Sequence, residues 1–150
     1  MNMMLKENFL IKKSFKILSI NHVAVATENL DVLKLLFSNV LGMKSKKKEY
    51  IESESVNVVK VYAEDQKTAI ELLEPSNDTS PITKFLTNKG NGIHHIALTV
   101  DNIRNAIDFL IYNNIRLVYK EPHPGTDNTL ITFIHPKSSP GMLIELCQKS

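Results

Sequence analysis

The chain has 150 residues, of which 43% are apolar and 23% charged. That suits one globular domain, or two small modules sharing a core, and is too apolar for disorder. The formal net charge is only +2 and the basic residues are scattered, which excludes a nucleic-acid footprint. The one cysteine, Cys147, cannot form an internal disulfide, which fits a reducing cytoplasm. It lies in an alternating strand pattern and reads as a buried spectator. No apolar run approaches the ~18–20 residues that cross a bilayer.

Residues 1–16 mix Lys6, Glu7, Lys12 and Lys13 with apolar residues. They predict a helical extension rather than a secretory signal, with a cleaved organelle-targeting peptide as the weaker alternative because Glu7 is out of character for one. Residues 17–26 alternate and are rich in β-branched side chains, so a strand is expected. Glu28 or Asn29 can cap the helix that follows. Leu30, Leu33, Leu36, Phe37, Val40 and Leu41 fall at helical spacing, and Gly42 is placed to stop the helix. Lys44 and Lys46-Lys47-Lys48 read as a solvated face, with an anionic-ligand rim as the alternative. Polar residues 45–52 predict a strand running into a loop. Strands are expected over 56–63 and 68–73, with Pro75 as the end.

Residues 76–92 predict a linker helix. Pro81 suits its first turn, Thr79 or Ser80 its cap, and Ile82, Phe85 and Leu86 its apolar stripe. The pattern then restarts. A strand is expected over 94–100. Asp101 or Asn102 caps a helix with Ile103, Ala106, Ile107, Leu110 and Ile111 on one face. Further strands are expected over 115–119, 129–134 and 142–146, with turn-rich links over 121–128 and 135–141. Each half thus reads as a strand and a helix followed by about three strands. The expected fold is α+β: two paired βαβββ modules forming a cupped mixed sheet around one metal site. The module bounds are about 17–75 and 93–148, within one domain over 17–148.

The halves repeat in chemistry as well as in pattern. Ile20-Asn21-His22-Val23-Ala24-Val25 returns as Ile93-His94-His95-Ile96-Ala97-Leu98, and Ile70-Glu71-Leu72 returns as Ile144-Glu145-Leu146. His22 precedes Glu71 by 49 residues, and His95 precedes Glu145 by 50. Alone, either histidine is an ordinary core residue and either glutamate an outward-facing strand residue. Together, a pseudo-twofold pairing brings two imidazoles and two carboxylates to one point, and an unpaired buried carboxylate is costly. These are natural ligands for a divalent first-row metal. His22, Glu71, His95 and Glu145 are therefore the candidate ligands. Strand alternation is expected to send His94 to the face opposite His95. The register pairs His94 with Asn21, which makes it a neighbour of the site or a structural residue. Four such ligands leave open positions for substrate oxygens, an arrangement suited to stabilising an enolate.

These residues resemble the vicinal oxygen chelate superfamily, which includes glyoxalase I, the bleomycin-resistance proteins and the extradiol dioxygenases. The resemblance runs from Ile17 to Gln148. It is finest to the methylmalonyl-CoA epimerase branch, through Glu71-Leu72-Leu73-Glu74-Pro75, Ser80-Pro81-Ile82, Gly92-Ile93-His94-His95-Ile96-Ala97, His135-Pro136-Lys137-Ser138 and Leu143-Ile144-Glu145-Leu146. It implies one divalent ion (cobalt, manganese, nickel or zinc) on His22, Glu71, His95 and Glu145. It implies interconversion of (R)- and (S)-methylmalonyl-CoA through a metal-stabilised enolate, with Glu145 as one proton carrier. The family's second carrier is a glutamate on the strand matching 56–62. An ungapped alignment from Glu71 puts Lys60 near that place, which leaves Glu54 as the candidate, with Glu52 and Lys60 as alternatives. Lys137 is the candidate contact for an anionic group of an acyl-CoA substrate. A homodimer is implied, with no nucleic-acid or membrane partner.

Three other readings use the same fold. A glyoxalase-I-type lactoylglutathione lyase would act on the hemithioacetal of methylglyoxal with the same four ligands. A non-catalytic binding module of the bleomycin-resistance type would not need them. An extradiol dioxygenase would use two histidines and one glutamate, leaving Glu71 surplus.

Overall fold

The computed structural model describes residues 12–150. Of the expected N-terminal helical extension, residues 1–11 lie outside the described residues. The described residues divide into two compact units, 20–96 and 12–19 with 97–150. The fold is α+β with mixed strand pairing.

In the unit of Ile20–Ile96, strand β1 (Ile17–Ala26) runs parallel to β5 (Ala69–Pro75), and β4 (Val56–Tyr62) lies antiparallel to β5. Two short strands, β2 (Lys44–Ser45) and β3 (Glu49–Ile51), pair with β4. Valine dominates β4 because a branched side chain packs well on a pleated surface. Val56, Val58, Val59 and Val61 are all buried, so both faces of this strand are covered. Alternation sorts the apolar side chains into two clusters. Ala24, Ala26, Val56, Val58 and Leu73 pack with Ile82 and Leu86 of helix α2 (Pro81–Lys89). Val59, Val61 and Leu72 pack with Leu30 of helix α1 (Leu30–Lys34), joined by Leu33 and Phe37. His22, Lys60 and Glu71 stand two residues from Ala24, Val58 and Leu73, so they extend the face that α2 covers.

The expected helix over 30–41 is altered. Asn29 caps it, its side chain accepting from the Val32 N–H, but α1 ends at Lys34 and continues as a π-helical segment, Leu35–Val40. The wider turn is seen in the bond from the Leu41 N–H to the Leu36 carbonyl. It rotates the apolar stripe. Leu33 and Phe37 face the core, whereas Leu36, Val40 and Leu41 are 42%, 69% and 60% exposed. Gly42 then turns the chain with φ of +75°, where a side chain would be strained.

Strand β6 (Gly92–Val100) begins in the unit just described and ends in the second. Helix α3 (Ile103–Tyr112) follows, capped by Asn102, whose side chain accepts from the Asn105 N–H. Its apolar face packs Ile103, Ala106 and Ile107 with Phe15, Val100, Leu117 and Leu146. Strand β8 (Thr129–Ile134) pairs antiparallel with β9 (Leu143–Lys149), and the two-residue β7 (His123–Pro124) pairs with β8.

The strand expected over 115–119 is a single bridge, Leu117 to Ile134. The Val118 N–H reaches the Phe133 carbonyl and the His135 N–H reaches the Arg116 carbonyl, but pairing stops there. The Tyr119 carbonyl accepts instead from the Thr132 hydroxyl at 2.7 Å. Pro122, which has no N–H to donate, follows shortly after.

One tertiary device recurs in the two units. The Leu30 N–H donates to Glu74 Oε2 at 2.7 Å, and the Ile103 N–H donates to Gln148 Oε1 at 2.7 Å. Each helix therefore has a first-turn N–H satisfied from the strand that carries Glu71 or Glu145, three residues beyond that glutamate. Among the described residues, no helix is long and apolar enough to cross a membrane.

Candidate metal centre

His22 sits mid-way along β1, and β1 lies beside β5 with Ala24 opposite Glu71. His95 sits in the first half of β6. Both imidazoles are buried, at 7% and 8% exposure. Their Nε2 atoms are 3.0 Å apart and the rings meet edge to face. Glu71 Oε2 lies 3.3 Å from His22 Nε2. Three of the four candidate ligands thus converge within one unit.

The ring of His22 is oriented from behind. Asn21 Oδ1 lies 2.8 Å from His22 Nδ1. With the proton assigned to Nδ1, the imidazole donates to Asn21 and leaves its Nε2 lone pair facing Glu71 and His95. On the other side of Glu71, Lys60 Nζ lies 3.6 Å from Oε1. Lys60 stands directly opposite Glu71 in the β4–β5 register, and its side chain is only 21% exposed. The carboxylate is therefore shared between an imidazole and an ammonium. Residue order alone did not bring Lys60 to Glu71 as a partner, because the contact depends on how β4 pairs with β5.

His94 does not simply turn to the opposite face. Its Nδ1 lies 2.9 Å from His95 Nδ1, and the ring centroids are 5.2 Å apart. The Cβ atoms of neighbouring strand residues diverge, but Nδ1 is the ring nitrogen nearest the backbone, so the two inner ring edges can still turn together. Phe85 of α2 packs edge to face on His94 at 4.9 Å. Burial lowers the His94 pKa to about 4, helped by the nearby charges of His95 and Lys89, so the ring is neutral at physiological pH.

The other candidates lie on other elements of the fold. Glu145 lies on β9 in the second unit, opposite Phe133, and is 8% exposed. Glu54 is exposed on the 3₁₀ turn Glu52–Glu54 that leads into β4. Ser55 closes that turn with φ of +50°. Lys137 is exposed in the turn after β8, where its backbone N–H donates to His135 Nδ1 at 3.0 Å.

The donor set fits a divalent ion. Two nitrogens bound at right angles, each about 2.1 Å from one ion, stand about 3.0 Å apart, which is the separation of His22 Nε2 and His95 Nε2. A carboxylate oxygen beside them adds the negative charge that a buried cation requires. Two buried imidazoles and a carboxylate, held on the strands of a mixed α+β sheet, make a candidate site for a divalent metal ion.

The glyoxalase/bleomycin resistance protein/dioxygenase superfamily model matches residues 21–133. Among curated relatives, the mitochondrial methylmalonyl-CoA epimerase of Dictyostelium discoideum is 40% identical over 131 residues, covering 87% of this chain and 78% of the relative. Among solved structures, the Mycobacterium tuberculosis methylmalonyl-CoA epimerase has a TM-score of 0.83 at 31% identity, covering 89% of each chain. A methylmalonyl-CoA epimerase solved with methylmalonyl-CoA and ammonium has a TM-score of 0.80 at 27% identity, covering 90% of this chain and 96% of that one. The chain belongs to the methylmalonyl-CoA epimerase family of that superfamily.

Proposed function

We propose that the protein is an enzyme that interconverts (R)- and (S)-methylmalonyl-CoA by removing and returning the proton at C2. The observation that carries this reading is the convergence of His22, His95 and Glu71 in a chain whose relatives are named for that reaction. The curated epimerase relatives favour this reading over the lyase, and a binding module has no use for the cluster.

C2 lies between a thioester and a carboxylate. Its proton is acidic only if the electron pair left behind can spread onto the thioester oxygen. A divalent ion held by His22, Glu71 and His95, with Glu145 proposed as the fourth ligand, would supply positive charge at that oxygen. Glu145 is also proposed as one proton carrier. A nearly buried carboxylate has little water to compete with a carbon acid for its lone pair. The C–H pair of electrons becomes the enolate, the carboxylate takes the proton, and an acid on the opposite face returns one to C2. Glu54 is proposed for that second role, and its exposed turn lets it exchange protons with water.

The ion would be cobalt, manganese, nickel or zinc. Lys137, exposed and cationic, is proposed to contact an anionic group of the acyl-CoA. A homodimer is proposed, supported by the exposure of Ile20 at 53% and Ile93 at 65%. A cytoplasmic location is proposed because the single cysteine, Cys147, cannot form an internal disulfide.

The test is proton exchange followed by NMR. Protein loaded with cobalt, and then with zinc, is incubated with (R)-methylmalonyl-CoA in heavy water. Deuterium entry at C2 with formation of the (S) form is the expected result. No exchange with either metal, but turnover of a methylglyoxal–thiol adduct, would move the assignment to the lyase.

A further inference from the structure

The geometry points to His94 as a positioning residue for His95, playing the part that Asn21 plays for His22. The inference rests on the reading of His95 as a metal ligand. The repeat that aligns His22 with His95 also aligns Asn21 with His94, the residue just before each candidate ligand. In both places that preceding side chain meets the Nδ1 of the next one. Asn21 Oδ1 is 2.8 Å from His22 Nδ1, and His94 Nδ1 is 2.9 Å from His95 Nδ1.

A ligating imidazole needs a lone pair on the atom that faces the ion. For His95 that atom is Nε2, which faces His22 Nε2 at 3.0 Å. Its proton must then sit on Nδ1, and a buried N–H requires an acceptor. His94 Nδ1 is at hydrogen-bond distance, and with its own proton on Nε2 it accepts. Outer partners of this kind fix ring orientation and raise ligand basicity. His94 is itself held, because Phe85 packs edge to face on its ring at 4.9 Å. The chain Phe85–His94–His95 therefore ties helix α2 to the orientation of a candidate ligand. The two halves of the sequence repeat use different chemistry, an amide oxygen in one and an imidazole nitrogen in the other, for the same acceptor role.

The test uses two substitutions in the full chain. His94→Leu removes the acceptor, and His94→Asn supplies the group that Asn21 offers. Zinc and cobalt affinities are measured by competition with a chelator. The His95 Nδ1–H is read in the zinc-loaded protein from imidazole 15N and 1H chemical shifts, because without an ion one of the two facing Nε2 atoms carries the proton of their 3.0 Å contact. His94→Leu is expected to weaken metal binding by about 10–100-fold, and to lose the shift of a hydrogen-bonded Nδ1–H. His94→Asn is expected to bind within a few-fold of the unaltered protein and to keep that shift. Unchanged affinity and an unchanged Nδ1–H shift in His94→Leu would overturn the inference, as would a failure of His94→Asn to rescue while its circular dichroism is native. If the unaltered protein binds neither metal, the ligand reading itself fails. If it binds metal and His94→Leu binds it equally well, the ligand reading stands and the positioning role falls.

Discussion

Lys60 and Glu71 stand directly opposite each other across the antiparallel β4–β5 pair, with Lys60 Nζ 3.6 Å from Glu71 Oε1. The other oxygen of the same carboxylate faces His22 Nε2 at 3.3 Å. The ammonium thus draws charge from a candidate ligand and competes with any cation the cluster holds. Lys60→Met keeps much of the stem but removes the charge. Divalent metal affinity is expected to rise about 3–10-fold, the scale of a partly exposed ion pair. KM for the anionic substrate is expected to rise as well. Calorimetric titration with zinc checks the first effect, and a fall in affinity would show that Lys60 orients Glu71 more than it opposes the ion.

His95→Ala removes one of two buried imidazoles from the cluster. Metal affinity is expected to drop by more than about 100-fold, with loss of epimerase activity. The fold should persist, because the apolar clusters of this unit do not include His95. Metal titration beside circular dichroism checks both. Full activity in this variant would remove His95 from the site.

Glu145→Gln keeps the shape of the side chain and removes its charge and basicity. In its proposed double role of ligand and proton carrier, it should lose more activity than metal affinity. kcat is expected to fall about 10²–10⁴-fold. If metal affinity and kcat fall by the same factor across a range of zinc concentrations, Glu145 is a ligand only.

Leu72 follows Glu71 on β5 and points to the opposite face, where it packs with Leu30, Val59 and Val61 at 0% exposure. Leu72→Ala should destabilise the protein by about 2–5 kcal/mol, the transfer cost plus that of the cavity left behind. The urea midpoint measures the loss. The number of zinc ions bound per folded chain should not change, since Glu71 stays on the other face of the strand.

Much of the fold was legible because periodicity and capping are local. The strands 17–26 and 129–134 agree with β1 and β8 residue for residue. Asn29, Ser80 and Asn102 cap the three helices from positions where their short polar side chains accept first-turn N–H groups. The candidates His22, Glu71 and His95 were legible from the repeat, because duplicated chemistry at duplicated spacing survives in sequence order. The failures were tertiary. Spacing at 3.6 residues could not show that the helix after Asn29 widens into a π-helical turn and exposes Leu36 and Val40. A β-rich run at 115–119 could not show that its pairing ends after one bridge.

The sequence by itself determined which residue types are available and how they recur: two histidines, two glutamates and a pair of similar half-chains. Only the tertiary structure decided what stands beside them. Strand pairing placed Lys60 against Glu71, residues 11 positions apart that share no local pattern. Ring rotation turned His94 toward His95 although their Cβ atoms alternate. Both outcomes depend on register and on side-chain torsions, which the packing of whole elements selects and which no short window of sequence encodes.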